Sequence, residues 1–307
     1  AQHKKVQKII KEYKPHIIHG AVFEGVTMAV INGFIKRVPI IIIEETSDPK
    51  NRSWKGNMLM KMFALLSDKV IGVSPAAVDY LENKLKINPS KVKLINNGVA
   101  FPRKVAESEI LELRKNLNIS NDDIIIGSIG RMLDDENKRF SDLIKAINIL
   151  KGQYSNIKLV LVGDGPERPK YENLAKELNC QDIIIFIGYD SDTAKYYSIF
   201  DIFTLVSTHE SFGLVLVEAM FHKLPIVATR VGGIKYIVHD KQTGFLIEPK
   251  NVDEIASKLK VLIQNNELRK KMGEDGFIIA LENYTEKRYV QDVQNLYIDL
   301  CKSKKLL

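Results

Sequence analysis

The chain predicts an α/β fold with parallel sheets, and three observations carry that expectation. Short apolar runs, such as 39–43 and 183–187, are bounded by turn residues and read as strands buried on both faces. Segments with helical spacing separate them, so strand and helix alternate along the whole chain. With 307 residues, at ~150 per domain, the length accommodates about two such domains.

In the first third, strands are expected at 16–19, 39–44, 69–73 and 92–95, with helices at 22–35, 57–66 and 76–85. Ser74 and Pro75 supply an N-cap and a first-turn proline for the last helix. Asn96-Asn97-Gly98, followed by Phe101-Pro102, is a turn cluster, and a polar helix follows at 107–117. The boundary between domains is placed near residue 103. A second series then runs through strands at 124–129, 158–162, 183–187, 202–206, 225–228 and 244–247. Helices are expected at 141–150, 169–178, 193–199, 214–222 and 252–264, and a closing helix at 285–302. The second series makes a full Rossmann-like domain. The first lacks the strand–loop–helix that normally opens one and is expected to be incomplete. The chain starts on Ala1 in a polar, helix-like stretch without a signal-peptide pattern, so an upstream piece is expected to be missing.

Composition narrows the function. Hydrophobic residues make up 45% and charged residues 27%, which excludes wholesale disorder and disulfide scaffolds. No apolar run approaches the ~18 residues of a membrane span. Cys180 and Cys301 lack metal or redox spacing and read as plain thiols of a reducing compartment. The net charge of +7 favours anions or an anionic membrane surface. The basic residues are dispersed without interleaved aromatics, so no nucleic-acid partner is expected.

The most informative stretch is Ser207–Met220. A strand ends at Ser207, a polar turn holds Glu210, and Phe212-Gly213 opens a helix that carries Glu218 about one turn in. Helix N-termini at the C-terminal ends of parallel strands suit phosphate. Two carboxylates beside such an anion site need neutral polar partners, and sugar hydroxyls are such partners. Phe212 reads as either a packing residue or a ligand contact. A second constellation, Gly127-Ser-Ile-Gly130-Arg131 with Lys138 downstream, follows the first strand of the second series. A third, Val162-Gly-Asp-Gly-Pro166, is a strand followed by a glycine pair, and Phe186-Ile-Gly188-Tyr189 ends the next strand.

These segments, with Asp201-Ile-Phe, Pro225-Ile-Val-Ala-Thr, Val231-Gly-Gly-Ile and Thr243-Gly-Phe-Leu, resemble the retaining nucleotide-sugar glycosyltransferases of group 1 (family 4), whose signature is E-x7-E. The resemblance runs from about Lys14 and is strongest from Gly130 to Pro249. It implies the GT-B architecture, two Rossmann-like domains facing each other across a cleft. Residues 1–103 would be a partial acceptor-side domain and 104–284 the donor-binding domain. Residues 285–307 would be a C-terminal helix packing back toward the first domain. Glu210 would contact the transferred sugar and Glu218 the ribose hydroxyls. Backbone N–H groups of Gly213, Leu214 and Val215 would face the diphosphate, which Arg131 and Lys138 neutralise. Gly130, Gly165 and Gly188 would line the donor. The family often has Gly where Arg139 stands, and the acidic Asp134-Asp135-Glu136-Asn137 insert leaves the register of Lys138 open.

In the first domain, Lys14-Pro-His-Ile-Ile-His19 resembles the family's K-P-D element and nominates His19, which also suits a structural role. Glu44-Glu45-Thr46-Ser47 stands where many relatives carry a histidine, which nominates Glu45 on the acceptor side. Asp190-Ser-Asp192 imitates a metal-binding D-x-D, yet Asp192 is placed to cap helix 193–199; no metal site and no tightly bound cofactor is expected. The activity implied is retaining transfer from a UDP or GDP sugar to a glycan or lipid-linked acceptor. Closure of the two domains would limit hydrolysis. Capsule, exopolysaccharide or lipopolysaccharide synthesis is the implied setting, with a cytoplasmic location, peripheral at the inner face of the plasma membrane. Lys4, Lys5, Lys8, Lys11 and Lys14 suit either a solvated helix face or contact with that membrane. The alternative is a non-catalytic nucleotide-sugar-binding module or a truncated, inactive transferase.

Overall fold

The computed structural model describes residues 2–46, 52–133 and 137–307; Ser47 and the acidic residues Asp134, Asp135 and Glu136 lie outside them. The chain divides into two units, Ala1–Gly98 with Tyr284–Leu307, and Val99–Asn283.

The first unit contains α1 (Gln2–Tyr13), β1 (Ile17–Ala21), α2 (Val22–Ile35), β2 (Ile40–Glu45), α3 (Trp54–Leu66), β3 (Lys69–Gly72), α4 (Pro75–Asp79) and β4 (Val92–Leu94). Its strands form a parallel sheet in the order β1-β2-β3-β4. Every residue of β2 is buried, because both faces of the sheet are covered. The period of two sends Ile41 and Ile43 toward Val26 and Val30 of α2 and Met60 and Phe63 of α3. Ile40 and Ile42 face the other way, toward Leu296 and Leu300. Those two leucines belong to the closing helix Glu286–Ser303, numbered last below. Ser74 caps α4 by accepting from the Ala77 amide, with Pro75 in the first turn, as the sequence predicts. The expected helix 76–85 instead changes at Tyr80 into a π-helical turn, Tyr80–Lys84. The Asn96-Asn97-Gly98 turn seats the closing helix: Arg288 donates to the carbonyls of Asn96 (2.5 Å) and Asn97 (3.1 Å). A Cβ on Gly98 would lie 2.8 Å from the Glu286 Cα.

The second unit contains α5 (Glu107–Asn116), β5 (Ile124–Ile129), α6 (Phe140–Lys151), β6 (Ile157–Val162), α7 (Arg168–Glu177), β7 (Ile184–Gly188) and α8 (Ala194–Tyr197). It continues with β8 (Ile202–Leu205), α9 (Leu214–Phe221), β9 (Ile226–Thr229), α10 (Ile234–Ile237), β10 (Gly244–Ile247), α11 (Val252–Gln264) and α12 (Asn266–Asn283); α13 (Glu286–Ser303) returns to the first unit. The parallel sheet runs β10-β9-β8-β5-β6-β7. Leu143 and Ile147 of α6 meet Leu259 and Leu262 of α11 in the main core.

Two elements were not predicted, α10 and α12. The 18 residues of α12 carry Gly273 and Gly276 in the interior, which argues locally against a helix. Tertiary packing explains both. A Cβ on Gly273 would lie 1.9 Å from the Lys223 carbonyl oxygen, and one on Gly276 would lie 3.5 Å from Met220 Cγ. The glycines therefore let α12 approach the end of α9. Cys180 and Cys301 are free and buried.

Candidate functional site: the C-terminal edge of the second sheet

The strand order places β5 between β6 and β8, so the chain winds one way from β5 through β6 and β7 and the other way through β8 to β10. The gap beyond the C-terminal ends of β5 and β8 is the switch point where open α/β sheets bind ligands. Gly130 and Arg131 follow β5, and Ser207 to Glu210 follow β8.

Across this point Lys138 Nζ donates to Glu210 Oε2 at 2.8 Å. Both side chains keep about a fifth of their surface exposed, 22% and 19%. Asn137 fastens the two loops. Its backbone oxygen accepts from the Thr208 amide (2.9 Å), and its Oδ1 accepts from the His209 amide (2.9 Å) and the Thr208 hydroxyl (3.1 Å). A second turn backs the carboxylate loop. The Gly233 amide donates to the Glu210 carbonyl at 2.8 Å, and a Cβ on Gly232 (φ 46°) would lie 1.9 Å from that oxygen. Sequence reasoning missed Asn137, Gly232 and Gly233 as site-builders. The only local signal was the paired glycine itself, since their partners are distant in the chain.

The glycine loops are stitched side by side. The Gly130 amide donates to Val162 O (2.9 Å), the Met132 amide to Asp164 O (2.9 Å) and the Gly163 amide to Gly188 O (2.8 Å). A Cβ on Gly163 would lie 2.0 Å from the Gly130 oxygen and one on Gly165 2.3 Å from the Met132 oxygen. Gly165 and Gly188 adopt φ of 155° and 94°, a region that side chains disfavour. Gly130 also lies against Lys138, its ideal Cβ 3.4 Å from the lysine Cδ. Arg131 is exposed and makes no ion pair among the described residues.

Helix α9 starts at Gly213, whose φ of 98° is left-handed and which gives no side-chain cap. The first amides, at Gly213, Leu214 and Val215, therefore have no side-chain cap, with Gly213 itself buried and Leu214 exposed. The ideal Gly213 Cβ lies 3.4 Å from Glu210 Cγ, so the helix start adjoins the Lys138–Glu210 pair. Phe212 is 3% exposed and packs. Further along α9, Glu218 Oε2 accepts from the Tyr197 hydroxyl at 2.7 Å. Burial raises the Tyr197 pKa well above its usual value, so the phenol stays protonated and remains a donor. Tyr197 stacks on His222, with ring centroids 5.0 Å apart. His222 Nδ1 lies 2.7 Å from the Glu218 carbonyl oxygen, and burial lowers its pKa.

The D-x-D segment departs from expectation. The residue before α8 is Thr193, which makes no side-chain cap, and Asp192 does not cap the helix. Asp192 instead accepts from Arg103 Nε at 2.9 Å, and Asp190 accepts from Lys195 (2.7 Å) and the Tyr196 hydroxyl (2.9 Å). The stronger charge-assisted partners displace the cap. Among the described residues no group of three or more His, Cys, Asp or Glu could hold a metal ion.

His19 and Glu45 both lie in the first unit. His19 Nδ1 is 2.7 Å from the Tyr297 hydroxyl, its Nε2 is buried without a partner, and burial lowers its pKa. Glu45, 2% exposed, accepts two hydrogen bonds from Arg52 at 2.5 and 2.9 Å. Its neighbour Glu44 accepts from the Tyr289 hydroxyl at 3.1 Å, and burial raises its pKa.

The chain is similar to several known proteins. An N-acetyl-alpha-D-glucosaminyl L-malate synthase of Bacillus anthracis is 30% identical over 252 residues, covering 81% of this chain and 64% of that protein. The chain thus spans less than two thirds of that relative. A capsular polysaccharide biosynthesis glycosyltransferase, CapM of Staphylococcus aureus, is 24% identical over 298 residues, 92% of this chain and 77% of the relative. Among solved structures, Anabaena Alr3699/HepE in complex with UDP-glucose superposes with a TM-score of 0.85 at 21% identity, covering 96% of this chain and 82% of that one. Residues 1–101 match Glycosyltransferase Family 4. Residues 109–277, more than half of the chain and including the whole Lys138–Glu210–Glu218 constellation, match Glycosyl transferases group 1, and the chain belongs to that family.

Proposed function

We propose that this protein is a retaining glycosyltransferase that takes its sugar from a nucleoside diphosphate sugar bound at the switch point of the second unit. The observation that carries the reading is the Lys138–Glu210 ion pair, a fixed cation and a fixed carboxylate beside an uncapped helix start. The breaking glycosidic bond leaves charge on the diphosphate, and Arg131, Lys138 and the amides of Gly213–Val215 are suited to stabilise it. A well-placed donor of this kind contributes about 3 kcal/mol. Glu210 accepts from hydroxyls of the sugar. Glu218, with Oε2 held by Tyr197, offers Oε1 to the ribose hydroxyls. Gly130, Gly165 and Gly188 bring backbone close to the nucleotide.

The acceptor oxygen attacks the anomeric carbon from the face that the nucleotide leaves. The bond from that carbon to the phosphate oxygen breaks, and the departing phosphate takes the acceptor proton. His19 and Glu45 belong to the acceptor side. The acceptor is a glycan or lipid-linked saccharide of a cell-surface polysaccharide, the setting named for CapM. A cytoplasmic enzyme held at the inner face of the membrane fits the first unit. That unit carries 21 Lys and Arg against 11 Asp and Glu, while the second carries 24 against 27. Helix α3 also exposes Trp54, Met58, Met62 and Leu65 along one stripe beside Lys55 and Lys61. No helix among the described residues is long and apolar enough to cross a membrane.

Calorimetric titration with UDP, GDP and UDP-glucose, paired with a sugar-release assay, tests the reading. Binding that disappears in Glu218→Ala and Arg131→Ala, with slow release in the unsubstituted chain, is expected. Binding without release supports a non-catalytic module, and a folded protein that binds no nucleotide refutes the site.

A further inference from the structure

A second basic site lies in the first unit and includes Lys11 and Lys14. A pocket of about 400 Å³ opens where α1 runs into β1 and α2 runs into β2. Lys11, Lys14, Lys36 and Arg37 line it, with His16 between them and Pro15 and Pro39 among its apolar walls. No carboxylate lines it, and none of the four cations has an ion-pair partner among the described residues. It sits at the N-terminal ends of β1 and β2. The parallel strands carry His19 and Glu45 toward the opposite edge.

The bland explanation is that these cations neutralise the C-terminal ends of α1 and α2, whose dipoles favour positive charge. Two observations weigh against it. The last-turn carbonyls are satisfied by loop amides: Ile10 O by Lys14 N (2.9 Å), Asn32 O by Lys36 N (2.9 Å) and Gly33 O by Val38 N (2.8 Å). The left-handed φ of Lys14 (44°) and Arg37 (54°) follows from that capping turn. Moreover, two helix ends offset about one unit charge together. Four cations leave a marked excess, and like charges gathered around one concavity are costly unless an anion joins them.

We propose that this pocket binds a phosphate group, as a second anion site independent of the nucleotide. The four donors suit the several oxygens of a phosphomonoester or diphosphate. Such a group comes either from a soluble molecule or from a lipid head group. Exposed Tyr13, Phe34 and Ile35 lie within two residues of the cations in sequence and offer apolar surface to a lipid.

The test uses the full chain carrying Arg131→Ala and Lys138→Ala, which removes the cations of the proposed donor site. Inorganic pyrophosphate is titrated calorimetrically, and flotation is measured with phosphatidylglycerol and with phosphatidylcholine vesicles. Lys11→Glu with Lys36→Glu is the pocket variant; Lys176→Glu with Lys271→Glu, at exposed positions of the second unit, changes the net charge equally outside it. Pyrophosphate binding weakened at least tenfold by the pocket pair and less than twofold by the control pair supports a site open to soluble phosphate. Loss of flotation on phosphatidylglycerol by the pocket pair alone, without pyrophosphate binding, supports a head-group site. Equal losses in both pairs, or no binding of either probe, overturn the proposal. UDP titration of the chain with Arg131 and Lys138 intact judges the donor site separately, so the two readings fail independently.

Discussion

The two units solve the same folding problem and present different surfaces. In the first, four parallel strands follow one another in sequence, so no strand pair marks a reversal of winding. In the second, the order reverses at β5 and β8, and the candidate donor residues gather there. The first unit holds the whole positive excess of the chain and exposes an apolar helix stripe. The second is slightly acidic, and its conspicuous charges, Lys138–Glu210, Arg103–Asp192 and Lys195–Asp190, are paired with one another. The difference teaches that a shared α/β plan leaves function to the loops at strand ends and to surface charge.

The largest effect should come from breaking the ion pair in the second unit. Glu210→Ala or Lys138→Ala is expected to lower the rate of sugar transfer about 10²- to 10³-fold. Denaturant unfolding should move by no more than about 1 kcal/mol, because the pair is partly solvated. Equal loss of stability and rate would make the pair structural. Next comes Gly273→Ala, expected to cost about 3 kcal/mol by forcing α12 off the Lys223 carbonyl; an unchanged unfolding midpoint would show that this packing is not tight. Trp54→Ala in α3 is expected to weaken binding to anionic vesicles about tenfold, measured by flotation, with nucleotide binding unaltered. A loss of nucleotide binding there would erase the division of labour between the units.

The smallest effect concerns pH. The folded-state pKa of Glu44 is raised by burial, so the folded chain holds that proton more tightly than the unfolded one. The stability it contributes is full below the unfolded value near 4.5 and is lost as pH rises through the folded value. Glu44→Gln keeps an acceptor for the Tyr289 hydroxyl and removes the ionisation. The variant should gain on the unsubstituted chain as pH rises from 4.5 to 7.5 in paired unfolding curves. A difference independent of pH would show that the carboxyl titrates alike in both states.

Much of this was legible in the sequence because it rests on local pattern. All ten strands among the described residues lie within a residue or two of their expected positions, since apolar runs of this short length between turn residues suit strands buried on both faces and are too short for helices. Ser74-Pro75 acts where it stands, because capping involves a neighbour three residues on. Local pattern failed where a distant partner decided the outcome. Asp192 looked like a cap until Arg103, 89 residues away, took its carboxylate. Helix α12 was not predicted, and the close approach of its glycines to the end of α9 accounts for it.

The candidate site divides the same way. Sequence alone determined which residue types are available: the carboxylates Glu210 and Glu218, the cations Arg131 and Lys138, and glycines at the strand ends. Their chemistry is intrinsic to each side chain and their spacing to the chain. Only the tertiary structure decided that Lys138 meets Glu210, that Asn137 and Gly233 hold the carboxylate loop, and that Lys11 and Lys36 share a pocket. Contacts between residues tens of positions apart depend on strand order and close approach of backbones, which no local spacing encodes.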